Sequence, residues 1–337
     1  MTVTRKSQVD YLSKLLVKLT NDCYGDIAGL VLGSMLDMGP ATLGQVHARS
    51  GLGANDVRKV MGVLVHNGFV THKKDDKNEK IYYTVSTRNV LSLLRQDQFA
   101  ALVKDKFGDQ AGLLTSFVLE HGNVSLTGIL VNIGKKLQED EPMSKESLIK
   151  KLTELQTTFN ELVNKNYFQQ FNNSESMSKV EVKDIATLIT GGTEDVPKDH
   201  QYYCVNQVKL STVIRDKMLV DAVVRKDSEA AKVFQSVLEI VSSQPGYDAG
   251  VSAPMSFTDI QRQVVHDHGG DSHAAIYTDQ YLQVLAGHKS RFVDKVGDSG
   301  GGQFQVNIKH LIGCFTECEL DNIIQERFSS KASRVFR

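Results

Sequence analysis

Apolar residues recur along this chain at helical spacing, broken at regular places by glycine and proline and followed by short alternating stretches. Leu12, Leu15, Leu16 and Leu19 fall at i, i+3, i+4 and i+7, which predicts one face of an amphipathic helix. A second helix is expected from Ile27 to Leu36, stopped near Gly39-Pro40, and a short one over Leu43–Ala48, closed by Ser50-Gly51. Val57, Val60, Met61 and Leu64 stripe a third, which Gly68 ends. Phe69–Lys73 and Lys80–Val85 read as strands joined by the charged tip Lys74-Asp75-Asp76-Lys77-Asn78-Glu79. The pattern predicts a helix-turn-helix with a two-stranded wing.

The same order returns twice. Phe117 and Val118 lie in a helix ended by Gly122, Leu126–Leu137 gives the next, and Ser144 is placed to cap a long helix striped by Leu148, Leu152, Leu155, Phe159 and Leu162. Tyr167–Phe171 is strand-like but no tight return strand follows, so the second wing reads as expanded or degenerate, with polar loops over 172–178 and 191–199. In the third repeat Val233, Phe234, Val237, Leu238 and Val241 stripe a helix stopped by Gln244-Pro245-Gly246. Pro254–Phe257 is a short strand, and Thr258 caps a helix through Val265. Tyr281, Leu282 and Leu285 build a helix ended by Gly287. Strands Phe292–Val296 and Gln303–Asn307 flank a glycine-rich tip, and a last amphipathic helix carries Ile308, Leu311, Ile312, Phe315, Ile323 and Ile324. The expected fold class is mainly α with small β-wings: tandem extended winged-helix domains over 1–96, 97–200 and 201–337, the second with a degenerate wing and linker.

Composition narrows what such modules do. The chain has 337 residues, 41% apolar and 23% charged, a formal net charge of −1 and four cysteines. That is enough to bury cores, and it argues against disorder. No apolar run is long enough for a membrane span and no signal segment opens the chain, so a soluble protein of a reducing compartment is expected. Charge is unevenly placed: residues 1–96 hold 13 Lys and Arg against 8 Asp and Glu, whereas 97–200 hold 11 against 16. Phosphate neutralisation needs clustered cations, so any DNA contact should be local and most surface should meet protein.

Several motifs suggest chemistry and fail on their partners. Gly297-Asp298-Ser299-Gly300-Gly301 matches the nucleophile segment of trypsin-like proteases, yet no base-carrying Ala-His-Cys triplet exists and the setting is helical. A hairpin tip that tolerates positive φ explains it. His266, Asp267, His268, Asp271 and His273 could ligate a metal, but they read as a solvated, turn-rich loop. Cys314 and Cys318 share a helix face and are expected as buried thiols. No phosphate-cradling glycine loop occurs. No catalytic residue, metal or cofactor is expected.

The functional candidates are basic. Arg58 and Lys59 sit on the polar side of the first repeat's recognition helix, Lys73, Lys74, Lys77 and Lys80 decorate its wing, and Lys289, Arg291 and Lys295 flank the strand entering the glycine-rich tip. Each could grip phosphate, giving position rather than sequence information; a solvated basic surface explains them equally well. Asp75, Asp76 and Glu79 weaken the case for the first wing.

The stretch Phe292–Gln305 with Val306-Asn307, and Ile324-Gln325-Glu326-Arg327-Phe328 leading to Arg334-Val335-Phe336-Arg337, resembles the third-largest subunit of eukaryotic DNA-directed RNA polymerase III. Asp279-Gln280-Tyr281-Leu282, Tyr202-Tyr203 through Arg215-Asp216 at the opening of the third unit, and Asp56-Val57-Arg58-Lys59 with Val63–Asn67 add to the resemblance. It spans nearly the whole chain and is strongest over 277–337. The resemblance implies four extended winged helices and a coiled coil, so the chain is expected to be truncated before the fourth. It also implies a stable trimer with two other polymerase III subunits, a place beside the clamp, contact with initiation factors and promoter DNA, and a nuclear location. The linker before the third unit lacks the basic tract of animal members, so import within the assembled enzyme is expected. The implied role is recruitment and promoter opening without catalysis or a small-molecule substrate. The alternative is a free-standing winged-helix regulator reading operator DNA as a dimer.

Overall fold

In the computed structural model the chain forms two units, Met1–Ser211 and Thr212–Arg337. The structure describes residues 3–76, 79–170, 182–191, 201–244, 250–297 and 302–336. Helices dominate, and three small antiparallel sheets punctuate them.

The first unit opens with α1 (Val3–Tyr24), α2 (Asp26–Met38), α3 (Leu43–Ser50) and α4 (Ala54–His66), then β1 (Val70–Lys74), β2 (Ile81–Val85) and α5 (Thr87–Leu91). Leu16, Val31, Leu32, Met35, Val57, Met61 and Leu64 close one core beneath the wing. The buried face of α1 takes in only part of the predicted leucine stripe. Leu16 and Thr20 are buried, whereas Leu12 and Leu15 stay 39% and 42% exposed. Four leucines satisfy the spacing, but spacing alone does not say which edge of the stripe the neighbouring helix covers.

The order repeats in α6 (Gln96–Phe107), α7 (Asp109–His121), β3 (Val124–Ser125), α8 (Leu126–Asp140), α9 (Lys145–Asn164) and β4 (Phe168–Gln170). The whole predicted stripe of α9 is buried, and Ser144 Oγ accepts from Ser147 N at its start. The return strand that the sequence reading found missing exists. It is β5 (Tyr202–Val205), which pairs with both β4 and β3. Tyr202-Tyr203 therefore close the second wing, not the opening of the third repeat. Between the two strands lies α10 (Val182–Gly191), whose Ile189 seats over Gly134 of α8. Strands separated by a helical insertion leave no hairpin signal in sequence.

The remaining elements are α11 (Gln207–Val224), α12 (Ser228–Ser243), β6 (Met255–Ser256), α13 (Phe257–His268), α14 (His273–Ile276), α15 (Thr278–Gly287), β7 (Asp294–Val296), β8 (Gln303–Gln305), α16 (Ile308–Arg327) and α17 (Ser330–Phe336). Phe234, Val237, Leu282, Phe292, Phe304 and Leu311 belong to one core in the second unit. The cap of α13 is Ser256, whose Oγ accepts from Asp259 N, and not Thr258. Cys314 is half-buried beside His310 and Cys318 is exposed, so neither is the expected core thiol. The helix outruns the core that its first turn enters. Predicted tip residues 298–301, Ser299 among them, lie outside the described residues.

Three devices recur at equivalent places and define the module. The residue at or before each second-helix cap pairs with the last wing strand: Ala41 with Tyr83, Val124 and Ser125 with β5, Met255 and Ser256 with β8. The caps themselves are Thr42, Ser125 and Ser256, each accepting from the backbone three residues on. Where the long helix turns into the wing, Gly68, Asn166 and Arg291 all adopt positive φ, at 70°, 60° and 44°. Each is followed by two buried apolar residues: Phe69-Val70, Tyr167-Phe168 and Phe292-Val293. The aromatic of each pair packs edge to face, against Tyr24, Phe107 and Phe234 respectively.

Candidate nucleic-acid and partner interface

The recognition-helix position of the first repeat is α4, and its wing is the β1–β2 hairpin. Val57, Met61 and Leu64 bury one side of α4 and fix its rotation, leaving Arg58 and Lys59 exposed. Hairpin register places Val70, His72 and Lys74 opposite Val85, Tyr83 and Ile81, so these share a face, while Thr71 and Lys73 share the other with Thr84 and Tyr82.

The sequence-named cations of the first repeat do not share one surface. Arg58 turns into a groove of about 570 Å³ between α4 and the first wing face, floored by Met61, Val65, Ile81 and Tyr83. Asn123 and Tyr202, from the second repeat, close its far side. Lys73 and Lys74 instead line a concavity of about 450 Å³ with Pro40, Asp75, Asp76, Tyr82 and Thr84. Two carboxylates there offset two ammonium groups, so the wing presents little net charge. Lys59 and Lys80 are exposed, and Lys77 lies outside the described residues.

The groove is held from behind. His66 Nε2 lies 2.9 Å from the His121 carbonyl, and Asn123 N donates to the His66 carbonyl at 3.2 Å. At the base of the wing the Tyr24 hydroxyl donates to Asn67 Oδ1 at 3.3 Å. Burial, and next the neighbouring Cys23, raise that phenol to about 12, so it remains a donor at physiological pH.

In the second unit, Lys289 and Arg291 sit in the turn between α15 and the wing, where Arg291 N donates to the His288 carbonyl at 2.8 Å. Both side chains are exposed. Lys295 on β7 stands opposite Phe304, and its Cε lies 2.9 Å from where a Cβ at Gly302 would be. Its stem thus lies along the sheet toward the glycine tip. His288 contacts Lys226 Nζ, and its pKa is held down by burial first and by that ammonium second.

The histidine-aspartate group does structural duty. Asp267 accepts from Ser236 Oγ at 2.7 Å and Gln263 Nε2 at 2.9 Å, and lies 3.0 Å from His266 Nδ1. Burial pushes its carboxyl up, but the hydrogen bonds from His266, Ser236 and Gln263 win and hold it down. His268 meets the Lys232 carbonyl and His273 the Tyr281 hydroxyl. His266, Asp267 and His268 end α13 and His273 begins α14, while Asp271 lies in the exposed turn between them, so only that part of the group is the expected solvated loop. Among the described residues no group of three or more His, Cys, Asp or Glu is placed to hold a metal, and no helix is long and apolar enough to cross a membrane.

Sequence reasoning missed Ile81, Tyr83 and Tyr202 as surface features, because only the fold brings a wing face and a distant strand against α4. It also passed over a signal in plain view. Tyr24-Gly25-Asp26-Ile27-Ala28-Gly29-Leu30 recurs as Phe107-Gly108-Asp109-Gln110-Ala111-Gly112-Leu113. Gly25 and Gly108 share one conformation (φ 86° and 90°, ψ 165° and 177°). A Cβ on Gly112 would meet Lys104 Cβ at 2.7 Å.

Comparison with known proteins agrees with this architecture. The family model for RNA polymerase III subunit RPC82 matches residues 132–315, and the model for that subunit's helix-turn-helix domain matches residues 14–75. The chain is 23% identical to DNA-directed RNA polymerase III subunit RPC3 of Bos taurus, over 96% of its own length and 68% of that protein's. It is 21% identical to the Homo sapiens protein of the same name over the same shares. With the Danio rerio protein it is 22% identical over 95% of itself and 67% of the relative. Taken with the repeated helix-turn-helix and wing, these matches establish that the chain belongs to the RNA polymerase III subunit RPC82 family.

Proposed function

We propose that the chain works inside RNA polymerase III as a non-catalytic subunit that docks on other subunits and steers promoter DNA during initiation. The observation that carries this reading is the repetition of one module in which capping, turn and wing geometry recur three times, each leaving a helix and a wing at the surface. Such modules position macromolecules. Three tandem domains, 1–96, 97–200 and 201–337, describe the repeat, and β5 then serves the second wing from just past that boundary.

DNA contact in this reading is local and made to phosphate, through Lys59, Lys73, Lys74, Lys77 and Lys80 in the first repeat and Lys289, Arg291 and Lys295 in the third. Arg58 stands apart because it lines an apolar groove. The third repeat is favoured as the DNA element, since among the described residues its turn and wing carry Lys289, Arg291 and Lys295 against Asp294, whereas Lys73 and Lys74 share their concavity with Asp75 and Asp76. Partners are the other initiation subunits in a heterotrimer, the clamp and the initiation factors, and the working location is the nucleus. The relatives' names place them in RNA polymerase III, and near-neutral overall charge argues against a lone DNA-binding regulator.

Affinity purification of the tagged full-length protein from nuclear extract tests the reading. Recovery of polymerase III subunits in stable proportion is expected. Isolation of the protein alone, with sequence-specific and steeply salt-dependent DNA binding, would instead support the free-standing regulator.

A further inference from the structure

The groove between α4 and the first wing is a feature that promoter handling leaves unused. From its lining we infer that it is a docking site for an acidic segment of a partner protein that presents apolar anchors along one face of a helix. This goes beyond the DNA reading and does not depend on it.

The floor is aliphatic. Met61, Val65 and Ile81 form it with Tyr83, and Ile81 and Tyr202 remain 43% and 40% exposed. A volume of about 570 Å³ suits several side-chain anchors. Gly62 sits in the middle of α4 on the groove side, and a Cβ there would meet nothing within 4 Å. Its bare backbone leaves room for another chain to approach closely.

Charge selects the occupant. Among the described residues the lining holds Arg58, His66 and His72 and no carboxylate, and these three belong to the 1–96 stretch that carries excess Lys and Arg. An acidic segment complements that rim. Single-stranded DNA fits less well. Tracking a phosphate backbone takes a succession of cations, whereas among the described residues the groove offers one permanent cation, Arg58.

The test selects a displayed library of random 16-residue peptides on the full-length protein. The best peptide is then titrated by fluorescence anisotropy, beside a 12-nucleotide oligothymidylate. Enriched peptides should carry apolar residues at i, i+3 or i+4, and i+7 among Asp and Glu. Gly62→Glu and Arg58→Glu should each weaken binding by about tenfold or more. Gly62 is exposed and helical, so Gly62→Glu should leave the thermal melt unchanged or raise it. If it lowers the melt, exposed Arg58→Glu decides alone. Peptides without the acidic and apolar pattern, or binding that survives both variants, would overturn the inference. So would groove-dependent binding of oligothymidylate in place of peptide.

Discussion

Arg291 is where a side chain and its backbone disagree. At the matching turns of the other two modules the chain uses glycine and asparagine, the residues that reach positive φ at least cost. Arginine pays a penalty there of about 1 kcal/mol or more, and no fold requirement on its exposed side chain explains the choice. The proposed phosphate contact would account for it. Arg291→Gly is therefore expected to raise the melting temperature of the second unit by a few degrees while weakening crosslinking to DNA. A lower melting temperature would show that the arginine stabilises the turn. His288, one turn away, adds a pH dependence. Burial and Lys226 disfavour its charged form, so its folded pKa lies below 6.5. Its contribution to stability is present above pH 6.5 and is lost as pH falls through the lower folded value. Thermal melts between pH 7.5 and 5 should show a smaller acid-side loss for His288→Gln than for the natural protein; parallel curves would exclude His288 as a source.

At the scale of elements, the two hairpins α1–α2 and α6–α7 are one solution used twice. The Tyr/Phe-Gly-Asp junction sets the reversal, and the small pair Ala28-Gly29 or Ala111-Gly112 lets the helices touch. Gly112→Ala should then cost about 1–3 kcal/mol by denaturant unfolding, because the new Cβ meets Lys104 Cβ rather than open space. The same change at Gly287, where nothing lies within 4 Å, should cost little. Legibility in sequence followed the same logic. Long helices with a full apolar stripe, such as α9, and the tight β1–β2 hairpin announce themselves through local period and turn residues. Neither β5 nor the side of α1 that faces the core does so, because each is decided by contacts distant in sequence. The basic candidates could be named from sequence, but which of them share a surface could not. Tertiary packing puts Arg58 in the groove beside α4 and Lys73 in the concavity with Pro40 and Tyr82.

Across the molecule, weak net charge and repeated modules fit the proposed role, in which the surface is mainly for other proteins and DNA is touched at a few points. In the proposed reading the groove beside α4 and the cationic turn of the third wing divide those tasks: one apolar and rimmed by Arg58, the other polar and open. Such a division explains why a subunit of a DNA-handling enzyme needs no overall positive field. Reversing Lys289, Arg291 and Lys295 to glutamate should accordingly spare assembly and folding.

The most direct measurement is permanganate footprinting of promoter opening by polymerase III assembled with that triple variant, on duplex and on pre-melted templates. The account predicts intact assembly, loss of opening on duplex DNA and near-normal transcription from the pre-melted template. Undiminished opening of duplex DNA by the variant enzyme would contradict it.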